Sequence, residues 1–256
     1  MGDSCEGKGS AEAGGVEMIH IGEHWGRKYD FVRFYIPFRL KYNIRFTHWH
    51  KHGEIIRCPT MYDNSQFIPG RGSIVFDIGA QYGDFSLLWE KRNHAIVYAF
   101  EALPENYAEM QRDFALNKSS IHSILGFVGN GNAVEFENTG TMATRKESPN
   151  PHISTMRIDD FIGSSSVIPD FIKIDVEGFE YEVLQGMTEI LQKFQPKIII
   201  ETHSSELRRK CHRFLTDVGY EQWYEGRMVK GVGVGWMDEV VNLFYGDATT
   251  QREVLK

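Results

Sequence analysis

Ile74-Val75-Phe76-Asp77-Ile78-Gly79-Ala80-Gln81-Tyr82-Gly83-Asp84-Phe85 is the stretch that decides the fold. Apolar, partly β-branched residues run into a carboxylate, a turn with two glycines follows, and Phe85, Leu88 and Trp89 then recur at helical spacing. The spacing predicts strand, tight turn and helix. Glycine at 79 and 83 opens backbone conformations closed to other residues and lets a ligand approach the main chain. The helix turns its free N–H groups toward the same point. A nucleotide-like cofactor suits such a turn. A dinucleotide loop reads G-x-G-x-x-G so that its middle glycine admits a pyrophosphate. Here the pattern is D-x-G-x-x-x-G, with Ala80 and Gln81 inside it. A carboxylate at the head of the loop, Asp77, suits a cofactor with a cationic end, and S-adenosyl-L-methionine carries an ammonium and a sulfonium. For so short a motif, a purely structural turn is the alternative.

Working outward, Ala95-Ile96-Val97-Tyr98-Ala99-Phe100-Glu101 reads as a second buried strand that ends in an acid. An acid about 20 residues past the glycine loop is the expected acceptor for ribose hydroxyls. Glu101 therefore reads as a bidentate ribose acceptor, or else as a solvated strand-end glutamate. Pro104 opens the next helix at its first turn, with Tyr107, Met110 and Phe114 along one face.

Asp77-Ile78-Gly79-Ala80 with Gly83, Ala99-Phe100-Glu101-Ala102-Leu103-Pro104-Glu105-Asn106, and Lys173-Ile174-Asp175-Val176-Glu177-Gly178-Phe179-Glu180 together resemble the FkbM-type S-adenosylmethionine-dependent methyltransferases. Ser154-Thr155-Met156-Arg157-Ile158-Asp159-Asp160-Phe161 resembles that family's signal ahead of the fourth strand. The resemblance runs over residues 70 to 203, and its specificity lies in the combination of segments. Gln81 stands where the family usually shows Asn, which keeps the amide donor and acceptor, and Ala102 stands where it often shows Pro. The resemblance implies a doubly wound, Rossmann-like methyltransferase sheet, S-adenosylmethionine as cofactor and mostly O-methylation.

The composition is compatible with this. The chain has 256 residues, 41% of them hydrophobic and 25% charged, which fits one large-cored globular domain with decorated edges. A net charge of −7 argues against nucleic acid as substrate, because phosphate binding relies on clustered Lys and Arg. Cys5, Cys58 and Cys211 are scattered and odd in number, which suggests neither a disulfide framework nor a cysteine zinc site. No apolar run is long enough to span a membrane, and the N-terminus shows no signal core, so a cytoplasmic protein is expected. Met1-Gly2 fails as a myristoylation signal because Glu6 replaces the Ser or Thr. Oligomeric state is not legible.

Residues 1–15 read as a disordered tail and 16–69 as an N-terminal extension suited to a substrate lid. Residues 70–246 form the methyltransferase domain and 247–256 a tail. Within the extension, His48, His50 and His52 share a side if the backbone is extended, as a metal site or as a polar strand or loop. No Cys or carboxylate stands nearby at ligand spacing, and no metal is assigned. Ile121–Val128 reads as a third strand before the turn Gly129-Asn130-Gly131-Asn132. Asn130 is the candidate for the adenine amino group, or part of a plain turn. Residues 133–136 read as a short strand and 138–151 as a mobile loop.

Phe171-Ile172-Lys173-Ile174-Asp175-Val176 reads as the fourth core strand, with Asp175 and Glu177 at its carboxyl end, where ligands bind open α/β sheets. Capping of the next helix is their structural alternative. That helix is expected to bury Val183, Leu184, Met187, Ile190 and Leu191 and to solvate Glu180 and Glu182. Lys197–His203 is a fifth strand, which brings Glu201 and His203 to the same rim as Asp175. Such a cluster accepts a proton from an acceptor hydroxyl or holds a divalent cation that lowers the hydroxyl's pKa. The sequence does not choose between them. The next helix buries Leu207, Cys211, Phe214, Leu215 and Val218, making Cys211 a core residue. Residues 220–245 read as strand, glycine-rich turn (231–235) and closing antiparallel strand.

The expected protein is thus a methyltransferase with Asp77, Gly79, Ala80, Gln81, Gly83, Glu101, Asn130, Asp175 and Glu177 at the cofactor and Asp175, Glu201 and His203 in catalysis. The expected acceptor is a hydroxyl on a small molecule or glycan. An NAD-type oxidoreductase and a non-catalytic binding domain are the rival readings. The first lacks its G-x-G-x-x-G, and the second has no physical need for Glu101 and an acidic rim.

Overall fold

The computed structural model describes residues 68–138, 143–146, 152–227 and 241–247. The histidine group at 48–52, most of the N-terminal extension and the glycine-rich run at 231–235 lie outside them. The described elements are β1 (Ile74–Ile78), α1 (Asp84–Asn93), β2 (Ile96–Glu101), α2 (Pro104–Leu116), β3 (His122–Leu125), β4 (Ala133–Val134), β5 (Phe136–Asn138), β6 (Ala143–Arg145), β7 (Ile153–Ser154), α3 (Ile158–Ser165), β8 (Phe171–Ile174), α4 (Glu180–Gln185), α5 (Thr188–Phe194), β9 (Lys197–Thr202), α6 (Ser205–Asp217), β10 (Tyr220–Arg227) and β11 (Val241–Asp247).

Seven strands make one sheet in the order β10-β11-β9-β8-β1-β2-β3. β3, β2, β1, β8 and β9 run parallel, and β11 pairs antiparallel with both β9 and β10. This is the expected mostly parallel sheet with an antiparallel C-terminal hairpin. The chain winds outward from β1 to β3 and then returns to β8 on the other side of β1. The carboxyl ends of β1 and β8 therefore flank a topological switch point, where such sheets open a ligand crevice.

Strand alternation sorts the core onto two faces. Phe76, Ile78, Phe100, Ile172, Ile174, Ile198 and Ile200 pack with Val183, Leu184, Leu191, Cys211 and Leu215 of the helices. Val75, Val97, Phe171 and Ile199 face the other way, onto Phe85, Leu88 and Trp89 of α1. A one-residue slip of register would exchange these two sets, so the sheet register is fixed by burial. Cys211 is fully buried, and burial pushes its thiol well above the ordinary cysteine range, as its core assignment requires.

Two details depart from the sequence reading. The helix expected across Val183–Leu191 is two helices, α4 and α5, although all five predicted apolar residues are buried. Gly186, the cap of α4, lies so close to the 129–132 turn that a Cβ there would stand 1.9 Å from the Gly129 carbonyl oxygen. Asp159, in the family-like segment before β8, then caps α5 by accepting from the N–H groups of Glu189 (3.2 Å) and Ile190 (3.1 Å). Finally, the 138–151 loop contains β6, which pairs with β5 as a hairpin.

Candidate active site

Two positions beyond Val75 and Phe171, on the α1 face of the sheet, stand Asp77 and Lys173, direct neighbours in the β1–β8 register. Both are buried. Lys173 Nζ donates to Asp77 Oδ1 (3.1 Å) and to the Gly79 carbonyl (3.3 Å) and lies 3.8 Å from Asp175 Oδ2. Ser86 Oγ donates to the other Asp77 oxygen at 2.7 Å. Burial alone would lower the lysine's pKa, but Asp77 and then Asp175 hold it above its ordinary value. Asp77 is thus spent on an internal cation. It does not line the cleft, and what the structure shows of it is a support beneath the loop.

The loop itself is tied to its neighbours. Gly79 and Ala80 N–H both donate to the Phe100 carbonyl, at 3.0 and 2.9 Å. Gly79 has φ +79°, and a Cβ there would lie 1.8 Å from the Asp175 carbonyl oxygen. Gly83 has φ +80°, and its Cβ would run into Phe114 and Met110 of α2. Both glycines are therefore required by packing against protein, and Gly83 is not among the residues lining the cleft.

Gln81, left-handed at φ 52°, donates its N–H to Glu101 Oε2 at 2.8 Å. The other oxygen, Oε1, accepts from the N–H of Leu103 (2.9 Å) and from Asn106 Nδ2 (3.3 Å). Glu101 is thus buried, not a solvated strand end, and burial raises its pKa despite these bonds. A carboxylate offers about four acceptor positions, three of which are used by these protein donors. These bonds leave one acceptor position, at Oε2.

These groups open onto a cleft between the carboxyl ends of β1, β2 and β8 and the Gly126–Val128 segment. Among the predicted residues it is lined by Gly79, Ala80, Gln81, Glu101, Asp175 and Glu177. Lys173, Asp84 and Asn106 also line it, and the sequence reading had given them no role. Asn130 lies elsewhere: its amide donates to Gln185 Oε1 at 3.0 Å and accepts from the Asn132 N–H at 3.1 Å. It is not among the residues lining the cleft, whose wall on this side is Phe127 and Val128.

Beyond Asp175 the rim is a carboxylate cluster around one imidazole. His203 Nδ1 is 2.7 Å from Glu180 Oε1, and its Nε2 is 3.1 Å from Glu177 Oε2 and 3.6 Å from both Asp175 Oδ1 and Glu201 Oε1. Glu180, expected on a solvated helix face, is fully buried, with Oε1 also accepting from the Gly178 N–H at 2.9 Å. Glu177 reaches the imidazole because its backbone turns left-handed, at φ 52°. Burial works to lower the His203 pKa, but the Glu180 hydrogen bond and the surrounding carboxylates raise it to about 10. That favours the protonated ring at neutral pH and weighs against its expected service as a proton acceptor. Glu201 is fully buried and off the cleft, so of the three catalytic candidates Asp175 alone lines it.

Comparison with known proteins places this geometry. A family model described as the methyltransferase FkbM domain matches residues 77–222. The hexuronic acid methyltransferase AglP of Haloferax volcanii is 28% identical over 137 residues, 51% of this chain and 56% of its own. The chain thus spans about half the length of this curated relative. A crystal structure of a methyltransferase FkbM from Methylobacillus flagellatus superposes with a TM-score of 0.57 at 18% identity, over 73% of this chain and 47% of that one. A methyltransferase from Pyrococcus furiosus gives 0.50 at 13% identity, over 84% and 94%. At these identities the structural matches speak for the fold.

Proposed function

The chain belongs to the FkbM-domain methyltransferases, and on that premise we propose that it moves a methyl group from S-adenosylmethionine to a hydroxyl oxygen of a small-molecule or glycan-type acceptor. The observation that carries this reading is the pairing, in one cleft, of the buried Glu101 at the β2 end with the Asp175 carboxylate at the β8 end. Glu101 keeps one acceptor position for a ribose hydroxyl. Asp84, in the first turn of α1, and Asp175 bring negative charge to the same space, which suits a cationic donor.

When bound, S-adenosylmethionine supplies a methyl carbon on a sulfonium; the acceptor oxygen bonds to that carbon while the C–S electron pair leaves with sulfur. The chain's own part is mainly placement. Holding the acceptor oxygen about 3–3.5 Å from the methyl carbon can supply most of the acceleration. Asp175 is placed to take the acceptor's proton, a contribution of about 10²–10⁴. Lys173, 3.8 Å from Asp175 Oδ2, orients that carboxylate from behind. The name of the Haloferax relative points to a sugar acid, which offers both hydroxyl and carboxylate oxygens.

The test is transfer of label from methyl-labelled S-adenosylmethionine to a panel of neutral glycosides and uronides, followed by mild alkaline hydrolysis. The expected product carries a base-stable methyl ether. Base-labile label would show ester formation on a carboxylate, and label on nitrogen or carbon, or none, would overturn the assignment to a hydroxyl.

A further inference from the structure

The carboxylates around His203 are more than a proton network requires. Asp77, Asp175, Glu177, Glu180 and Glu201 face two basic groups, Lys173 and His203. Lys173 is committed to Asp77, the Gly79 carbonyl and the far oxygen of Asp175. His203 Nε2, buried from solvent, points among three carboxylate oxygens yet meets hydrogen-bond geometry with none of them.

We propose that Asp175, Glu177 and His203 form a binding site for one first-row transition-metal dication, of the Mn²⁺ or Zn²⁺ type, at the acceptor end of the cleft. One ligand atom from each of the three lies within 4.8 Å of the other two. Ligand atoms about 2.1 Å from an ion stand about 3.0 Å apart in octahedral and about 3.4 Å apart in tetrahedral coordination. The Nε2 separations of 3.1 Å to Glu177 and 3.6 Å to Asp175 lie slightly above those edges. Glu201 Oε1, also 3.6 Å from Nε2, is at hand as a fourth oxygen.

A second observation is independent of those distances. Glu180 takes Nδ1 at 2.7 Å and is itself fixed by the Gly178 N–H. A carboxylate on the far nitrogen is what sets the tautomer of a metal-bound histidine and aims its other nitrogen at the ion. An ion bound at Nε2 takes the place of the proton the ring otherwise carries there. A nitrogen ligand beside two carboxylates favours transition-metal dications over Mg²⁺ or Ca²⁺, which prefer oxygen alone. Asp175 and Glu177 line the cleft, so the open coordination positions face the space assigned to the acceptor. There the ion draws an acceptor oxygen in and lowers its hydroxyl pKa. That role rests on the methyl-transfer reading; the binding itself does not.

The test titrates the chelator-treated full chain with MnCl₂ and with ZnCl₂ by calorimetry, and with Mn²⁺ by electron paramagnetic resonance, with neither donor nor acceptor present. One saturable site per chain is expected, weakened at least tenfold in Glu177→Gln, whose side chain is the most exposed of the set. Glu180→Gln should weaken it about 10–100-fold through the far nitrogen, and near-wild-type melting of both chelated variants would exclude unfolding as the cause. Absence of saturable binding at millimolar ion, or equal binding in Glu177→Gln, overturns the site. S-adenosylhomocysteine affinity measured on the same samples separates the two proposals: an ion bound without cofactor affinity sinks the methyl-transfer reading alone, and cofactor affinity without an ion sinks the metal site alone.

Discussion

Lys173→Met should lower folding stability by about 3–5 kcal/mol in urea denaturation at neutral pH, because it leaves a buried carboxylate without its cation. The partner is Asp77, fully buried in mid-sheet, whose other oxygen accepts from the Ser86 hydroxyl. Desolvating two charges is itself costly, so the intact pair adds little net stability. The asymmetry makes the experiment decisive: Asp77→Leu combined with Lys173→Met should recover most of what Lys173→Met alone loses. A single-variant cost below about 1 kcal/mol, in the range of ordinary surface substitutions, would mean that water or a rearranged partner reaches Asp77. The same substitution removes the donor to the Gly79 carbonyl, so it should loosen the loop that forms one wall of the cleft.

Asp175→Asn should cut turnover by about 10²–10⁴, the usual worth of a placed general base, while leaving S-adenosylhomocysteine affinity within a few-fold of wild type. Asparagine keeps the shape and one acceptor oxygen but not the charge. The carboxylate sits at the cleft, 3.8 Å from Lys173 and 3.6 Å from His203, between the cofactor side and the imidazole cluster. Parallel loss of turnover and affinity would make it a cofactor or folding residue, and unchanged turnover would remove it from the chemistry.

The sheet was legible because its signals are local. Apolar runs ending in acids at Asp77, Glu101, Asp175 and Glu201 mark strands, and the 3.6-residue stripes of α1, α2 and α6 mark the helices between them. The site was legible only where a residue faces the cleft by its position at a strand end, as Glu101, Asp175 and Glu177 do. What escaped were pairings across the fold. Lys173 sits in an otherwise apolar strand, and Asp77 sits likewise in β1, but the β1–β8 register that joins them is long-range. Glu180 sat where a helical wheel gives solvent, and only the loop carrying His203 turns that position inward. Gly83 and Asn130 looked like cofactor contacts from spacing alone, whereas α2 and α4 already claim them. Glycine spacing records that backbone comes close to something, not whether that something is ligand or protein.

The central claim is that the tips of β1 and β2 hold an adenosyl donor while that of β8 presents its acceptor. Calorimetric titration of the full chain with S-adenosylhomocysteine, beside Glu101→Ala, tests it most directly. Wild type should bind at one site, and the variant should bind more weakly by about 1–3 kcal/mol, the worth of a charge-assisted hydrogen bond to a buried carboxylate. No heat and no thermal shift from the folded wild-type chain, or equal affinity in the two proteins, would contradict it.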